Sequence, residues 1–213
     1  MILPETLGSI AYLSKKITHL KKRMKCGINL SCVGDERAYS HVESRKGGNL
    51  ADKAIEAGIL NLPNAVKYSY LKRGSDERNY CAPGIDLPLC TFCRTKFGEY
   101  PEYHTHLDNF DVVTKSGLEG SFNVIKNIID TFEFGLFPKT NILGEPQLGK
   151  RGLYPNTMIL YDGVHPAEMR KNIISYCDGE TSIFDICKII NTNLKYVLEE
   201  LKLLKNHNII DFV

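Results

Sequence analysis

Ile28-Asn-Leu-Ser-Cys-Val33, followed at once by Gly34-Asp35, is the segment that decides the fold of this chain. Apolar and polar residues alternate along it, which is the pattern of a β-strand with one buried face. Gly34 and Asp35 then end the strand, because glycine and aspartate favour turns. The segment therefore predicts a strand whose carboxyl end carries Asp35.

Further strands and helices are predicted on both sides of this strand. An amphipathic helical pattern precedes it over residues 6–24, and Asn49 is the expected N-cap of a later helix. The remaining segments are strands at 38–42, 65–71 and 87–94, and helices at 50–60 and 113–134. This alternation indicates an α/β fold with a mainly parallel sheet flanked by helices.

The pattern changes near residue 164. Helical segments at 167–177, 183–190 and 193–205 precede a terminal strand at 208–213. Short helices followed by a strand are the outline of a winged-helix module. The predicted organisation is an α/β domain over 1–135, a linker or crossing segment over 136–163, and a small winged-helix domain over 164–213.

Composition favours a soluble globular protein. The chain has 213 residues, of which 43% are hydrophobic and 24% charged, and this is enough for one domain with a core plus a small appendage. Its net charge of +2 attracts neither nucleic acid nor a membrane surface strongly. No apolar run approaches the ~20 residues that span a bilayer. The seven cysteines are scattered without an export signal, which predicts reduced thiols and a cytoplasmic location.

Cys90-Thr-Phe-Cys93 is a lone CxxC motif inside the strand predicted at 87–94. A zinc knuckle needs a second pair of ligands at suitable spacing, and the sequence has none. We therefore expect buried strand cysteines, with redox or metal use as the alternative.

Three carboxylates fall beside the predicted strands and helices. Glu5 is either a helix-start residue or a general base that takes a proton from a metal-bound water. Asp35 is either a turn residue or a metal ligand, and Asp76 could cap the next short helix. Function in such sheets collects at the carboxyl ends of strands, so their shared placement favours one common site.

Gly98 to Asp111 is dense in carboxylates and holds two of the six histidines. His104 and His106 are two positions apart, so in an extended segment they would share one side. A chelating pair and a single ligand beside a solvent-facing histidine both remain open.

Four short motifs stand in an order that resembles the zinc-dependent aminopeptidase superfamily. They are Pro4-Glu5-Thr6-Leu7-Gly8-Ser9, Val33-Gly34-Asp35, Gly74-Ser-Asp76 through Pro83-Gly84-Ile85, and His104-Thr105 to Asp108. More narrowly, the chain resembles the C-terminal portion of bacterial aminopeptidase-like proteins that carry a winged-helix domain. Such proteins are often labelled as polysaccharide-biosynthesis-associated.

This resemblance implies peptide-bond hydrolysis by a metal-activated water. By position, Glu5 matches the catalytic general base, Asp35 a carboxylate ligand of one metal, and His104 the histidine ligand of the other. The implied cofactor is zinc, with one or two ions in the complete family site. The implied substrate is a peptide or aminoacyl compound, and the resemblance does not locate the residues that bind it.

Two departures from the family pattern predict an incomplete site. Thr6 stands where the family often has a second glutamate, which favours a one-metal or altered site. The family also places a histidine and a bridging aspartate upstream of the Glu5 motif, and the chain begins three residues before the proline of that motif. Asp35 and His104 would serve different metals, so we expect activity only with a missing N-terminal part. Whether this chain alone holds one ion, two or none stays open. An edge or apolar face of the sheet would then be exposed.

The alternative function is a non-catalytic scaffold or interaction protein. Residues 164–213 contain six Lys or Arg and seven Asp or Glu, a net charge of −1. DNA-binding modules normally carry a basic footprint, so this winged helix is predicted to contact protein rather than nucleic acid. The expected partners are a second copy of the chain or the missing N-terminal segment, and no membrane.

Overall fold

The computed structural model describes residues 2–154 and 165–213. The chain divides into two compact units, Met1–Ile125 and Lys126–Val213.

The first unit is an α/β domain. In chain order it contains α1 (Leu7–Arg23), β1 (Gly27–Leu30), β2 (Tyr39–Val42), α2 (Leu50–Ile59), β3 (Ala65–Tyr68), a 3-10 turn at Tyr70–Lys72, α3 (Glu77–Tyr80), β4 (Leu89–Cys93) and α4 (Lys115–Phe134), which runs on into the second unit. The four strands form one sheet in the order β1-β4-β2-β3. The β1–β4 and β2–β3 pairs are parallel and the β2–β4 pair is antiparallel. The predicted fold class, with a mainly parallel sheet, is confirmed.

The central strand β4 anchors the core of this unit. All five of its residues are buried, and Cys90, Phe92 and Cys93 are fully enclosed. The prediction of buried strand cysteines is therefore confirmed. Apolar residues recurring along α2 are also buried, so α2 covers the core with one face.

Asn49 begins α2 as the sequence predicts. Its side-chain oxygen accepts hydrogen bonds from the backbone N–H groups of Ala51 and Asp52, and the Asp52 carboxylate accepts one from the Asn49 N–H. This reciprocal arrangement is a capping box, and a cap of this kind contributes about 1 kcal/mol.

Two glycines let α4 lie against the turn that follows β1. A methyl group on Gly117 would lie 1.9 Å from the carbonyl oxygen of Gly34, and one on Gly34 would lie 2.6 Å from Val113 Cγ1. The Ser121 hydroxyl also donates to the Val33 carbonyl at 2.6 Å. The turn carrying Asp35 is thus fixed by direct backbone contact with a long helix.

The second unit has the helix order of a winged helix. It contains β5 (Pro138–Thr140), a 3-10 turn at Gly149–Arg151, α5 (Pro166–Ser175), α6 (Ile183–Ile189), α7 (Leu194–Asn206) and β6 (Ile210–Phe212). β5 pairs with β6 in an antiparallel ribbon. The predicted winged-helix region is confirmed, and the predicted stripe on α7 is buried: Leu194, Val197, Leu198, Leu201 and Leu204.

β5 lies inside the segment that the sequence indicates as a linker. Its pairing with β6 joins residues far apart along the chain, which local patterns do not reveal. The portion of that linker from 155 to 163, together with residue 164, lies outside the described residues. Within the described residues, none of the helices is both long and apolar enough to cross a bilayer.

Gly117→Ala tests the close approach of α4 to the Gly34 turn. Alanine normally favours a helix by up to about 1 kcal/mol over glycine. Here the added methyl meets backbone, which cannot rotate away. We expect a net loss of about 1–3 kcal/mol in the free energy of unfolding, measured by urea denaturation.

Gly149→Ala is the control for this variant, because an added methyl there meets nothing within 4 Å. Its free energy of unfolding should stay within about 0.5 kcal/mol of the original. Equal stability of Gly117→Ala and the unaltered chain would contradict the contact.

Candidate functional site

The carboxyl ends of β1 and β4 meet at one edge of the sheet, because these strands are parallel neighbours. Asp35 follows β1 and Thr95 follows β4. The Asp35 carboxylate accepts hydrogen bonds from the Thr95 backbone N–H at 2.8 Å and from its hydroxyl at 2.6 Å. It accepts a third from the Arg37 N–H at 2.9 Å. Asp35 therefore joins the ends of two strands, and both its oxygens are engaged.

Arg37 extends this connection to the loop that contains His104. Its guanidinium donates two parallel hydrogen bonds to Glu102, at 2.9 and 2.8 Å. The hydrogen bond from Arg37 lowers the pKa of Glu102. Since the pair is largely exposed, it contributes more to the orientation of the loop than to stability.

Aromatic stacking holds His104 in place. Its ring lies 4.0 Å from that of Tyr103 with 19° between the planes, and Tyr100 packs edge-on against Tyr103 at 5.6 Å. The Tyr100 hydroxyl lies 3.1 Å from Asp108 Oδ2 and 3.5 Å from Cys32 Sγ. The His104 imidazole is exposed to solvent, and the Tyr103 ring supports it from one side.

The segment around His104 and His106 consists of successive turns. The geometric premise for a chelating pair, an extended segment, is therefore wrong. Short-range hydrogen bonds such as Thr105 N–H to the Glu102 carbonyl, at 3.0 Å, produce the turns. His106 is exposed and stays unassigned.

Tyr103 is the residue through which Glu5 and His104 are connected. Burial, then the charges of Cys32 and Glu5, raise the pKa of the Tyr103 phenol. The Tyr103 ring also stacks on His104. The connection of Glu5 to this ring is electrostatic, whereas Asp35 is connected to the loop that contains His104 by hydrogen bonds through Arg37 and Glu102.

Asp76 fixes the turn that carries Glu5. Its Oδ1 accepts hydrogen bonds from the Thr6 N–H at 2.8 Å and the Ser9 hydroxyl at 2.9 Å, and Arg78 donates to the Thr6 hydroxyl. The expectation that Asp76 caps the next short helix is wrong, since it makes no side-chain cap bond there. Its carboxylate is already committed to the Glu5–Thr6 turn.

Sequence reasoning missed several residues that support the site. Glu77 is fully buried and accepts hydrogen bonds from the Gly74 N–H at 2.7 Å and the Thr91 hydroxyl at 2.8 Å. Thr95 and Tyr103 were also missed. Two features of the sequence could have identified them. Thr95 lies just after a predicted strand, and Tyr103 directly precedes His104.

Three residues in or beside the predicted motifs have strained backbone. Eight described residues other than glycine have positive φ, and five of these are Asn or Asp, which tolerate it. The other three are Thr6 at 64°, Cys32 at 48° and His104 at 59°. Such conformations cost about 1–3 kcal/mol each and cluster at functional sites, so these three positions are candidates for a functional role.

The three predicted site residues do not by themselves fit a zinc ion. Zinc sites use three or four protein ligands. Among the residues the structure describes, only His41, Asp52 and Cys90 bring three potential ligand atoms within 4.8 Å of one another. Both oxygens of Asp35 already accept hydrogen bonds from Thr95 and Arg37. Among the described residues, the surroundings of Glu5, Asp35 and His104 therefore do not provide three ligands for one zinc ion.

A groove of about 640 Å³ borders Glu5 and the edge strand β1. Its lining mixes apolar side chains with Glu5, Asp76 and the β1 residues. The volume lies in the range of ligand pockets, about 300–1,000 Å³. An unpaired strand edge can also accept an extended peptide through backbone hydrogen bonds.

Comparison with known proteins gives two family matches. Residues 1–134 match the family model described as "Domain of unknown function (DUF4910)", and residues 136–211 match one described as "winged helix-turn-helix".

Two of the matches are from Clostridium acetobutylicum. One is named as a candidate polysaccharide biosynthesis protein with an aminopeptidase-like domain; it is 33% identical over 194 residues, covering 87% of this chain and 43% of that protein. The other is a crystal structure described as a candidate peptidase, with a TM-score of 0.80 and 28% identity, covering 99% of this chain and 47% of that one. The chain spans less than half the length of both.

Thr95→Val tests the link between Asp35 and β4. The valine keeps the side-chain shape but removes the hydroxyl that donates to the buried carboxylate. Because a buried group loses a partner, we expect a loss of about 1–3 kcal/mol in the free energy of unfolding. Urea denaturation measures it.

Thr95→Ser keeps the donor and is the matched control. It should retain most of the stability that Thr95→Val loses. If serine and valine destabilise the chain equally, the hydrogen bond to Asp35 is not the cause.

Proposed function

The chain belongs to the DUF4910 family, and from this premise we propose that it is the carboxyl-terminal part of a zinc-dependent, aminopeptidase-like hydrolase. Its fold is peptidase-like, as the match to the Clostridium acetobutylicum crystal structure shows. The proposed reaction is hydrolysis of a peptide or aminoacyl bond, with Glu5 as the general base.

The observation that carries this proposal is that the Tyr103 ring stacks on His104 and is influenced by the charge of Glu5. Glu5 and His104 come from distant parts of the sequence, and the backbone has positive φ at Thr6, which follows Glu5, and at His104. Exposed polar residues on or beside strained backbone favour a functional role. Asp76 and Tyr103 supply the support that such a site requires.

The residues of this chain have separate roles in the proposed reaction. Glu5 is an exposed carboxylate that accepts a proton from the attacking water, and Asp76 holds its turn in position. His104 is proposed to offer an imidazole nitrogen to a metal. Asp35 holds two strand ends together through Thr95, and its role as a metal ligand is also proposed. A zinc ion, when bound, would lower the pKa of its water.

The remaining ligands must come from outside the described residues. Both Clostridium acetobutylicum proteins have more than half of their length beyond the matched region. We propose that a corresponding segment supplies those ligands. The groove along β1, with Leu30 52% exposed beside Glu5, offers it a strand edge and an apolar surface. A second copy of the chain is the competing occupant.

All seven cysteines are free thiols, which supports a reducing compartment. We therefore propose a cytoplasmic protein. The second unit is proposed to contact protein and not nucleic acid. Arg170 and Glu200 form a largely buried ion pair in this unit, with 2.6 Å between Nε and Oε2, which joins α5 to α7. The pair leaves one cation fewer on the surface to contact phosphate groups.

The second candidate function is a non-catalytic scaffold. The observation that favours it is the occupied carboxylate of Asp35, which has three hydrogen-bond donors and no free oxygen. A protein that kept the fold and lost the metal would show this satisfied network.

Hydrolysis of an aminoacyl p-nitroanilide tests the proposal. The chain is joined to the upstream portion of the Clostridium acetobutylicum relative, and folding is checked by circular dichroism. In this protein Glu5→Gln should lower kcat about 10²–10⁴-fold with little change in KM, because it removes a proton acceptor without altering shape.

Glu119→Gln is the matched control, since that carboxylate is exposed on α4. It should leave kcat unchanged. An unchanged kcat in Glu5→Gln would show that Glu5 is not the base. A folded protein that keeps no zinc at this site and hydrolyses no aminoacyl substrate would favour the scaffold.

A further inference from the structure

A second group of potential ligands lies in the core under α2. His41 on β2, Cys90 on β4 and Asp52 on α2 are all fully buried, and one ligand atom from each lies within 4.8 Å of the others. None of the three lines the groove beside Glu5. The register pairs His41 with Phe92, so the pleat puts His41 and Cys90 on the same face of the sheet.

Asp52 is a fully satisfied carboxylate. Its Oδ1 accepts from His41 Nε2 at 3.0 Å and the Ser44 N–H at 2.8 Å, and its Oδ2 accepts from the Ser44 hydroxyl at 2.5 Å and the Asn49 N–H at 3.2 Å. Burial alone would raise the pKa of Asp52, but the hydrogen bonds from His41 and Ser44 outweigh it and lower the pKa. Asp52 is therefore a charged carboxylate, and it accepts a hydrogen bond from the Nε2–H group of His41.

His41 Nδ1 has no hydrogen-bond partner among the described residues. With the proton on Nε2, the buried Nδ1 carries a lone pair that accepts no hydrogen bond from the described residues. Leaving a buried polar atom unpaired costs about 1–3 kcal/mol, so such an atom needs an explanation. Metal-binding histidines typically donate their other N–H to a carboxylate, which is the relation between His41 and Asp52.

Two further thiols lie beside this cluster. The register pairs Ile28 with Cys90, so Cys26, two residues before Ile28, faces the same side of the sheet as Cys90, and Cys81 lines a cavity together with Ser44 and Asn49. Burial, then the charges of Asp52, Cys26 and Cys81, raise the pKa of Cys90. Burial raises the pKa of both Cys26 and Cys81 to about 11. Without a cation the thiols keep their protons, and a bound cation would displace them.

A small opening borders the cluster. A cavity of about 110 Å³ is lined by Cys81 and by Ser44 and Asn49, which donate hydrogen bonds to Asp52.

We propose that His41 Nδ1 and Cys90 Sγ are ligands of a buried Zn²⁺-class cation, with Cys26 or Cys81 as a further thiolate ligand. Asp52 orients the imidazole and polarises it. Binding releases one proton from each coordinating thiol, and two thiolates neutralise the divalent charge, as a buried site requires. Ligand atoms around zinc stand about 3.3–3.8 Å apart, so small side-chain shifts suffice. A structural His41–Asp52 pair alone would explain Nε2 but neither Nδ1 nor the gathered thiols.

Metal binding by the whole chain tests this site. The purified chain is loaded with Co²⁺ in place of Zn²⁺, and absorption reports whether a thiolate binds the ion. We expect one ion per chain and a thiolate-to-cobalt charge-transfer band. No bound metal, or bound metal without that band, would overturn the proposal, and this arm needs no variant to fold.

Variants then locate the ion. Cys90→Ala should remove the band, and Asp52→Asn should weaken Zn²⁺ binding about 10–100-fold, as loss of an orienting partner does. Cys187→Ala is the matched control, an equally buried thiol in the second unit, and should change neither. A band that survives Cys90→Ala would contradict the assignment.

His104→Ala separates this site from the proposed hydrolytic one. The buried cluster does not contain His104, so the ion and its band should persist in that variant. Loss of the ion in His104→Ala would mean that the metal belongs to the hydrolytic site, and the buried site would be wrong while the proposed function would gain support.

Discussion

The hydrogen bonds between the Asp35 carboxylate and Thr95 are the constraint on which the first unit depends. They exist because β1 and β4 run parallel, which brings the residues after both strands to the same edge. A buried carboxylate is costly unless hydrogen bonds satisfy it, so Asp35 holds the two strand ends in one geometry. Everything that follows β4, including the turns that carry His104, begins from this fixed point.

Elements dictated by local chemistry were predictable from sequence. Asn49 followed by an apolar run gives the start of α2, and the spacing of leucines gives the buried face of α7. Elements that depend on distant partners were not. The antiparallel pairing of β2 with β4 and the pairing of β5 with β6 leave no local pattern, because each strand's neighbour lies far along the chain.

The residues of the candidate site and the residues that support them differ in how far sequence could identify them. Residue type and motif order select Glu5, Asp35 and His104, and their roles stay predictions. The supporting residues could not be identified, because Asp76 could equally cap a helix and Tyr103 could equally be a core aromatic. Only the folded chain shows that Asp76 binds the Thr6 N–H and that the Tyr103 ring stacks on His104.

Whether a side chain can bind a metal is judged better from its hydrogen bonds than from its residue type. Asp35 matches a family ligand by position, yet its two oxygens accept three hydrogen bonds. His41 matches no motif, yet its Nδ1 has no partner among the described residues while Asp52 fixes its other nitrogen. A cation gains most from a donor that the protein has oriented and left unpaired, because no existing hydrogen bond must be broken. By that criterion the buried face under α2 offers a metal an oriented nitrogen, whereas a metal beside Asp35 would have to share a carboxylate that already accepts three hydrogen bonds.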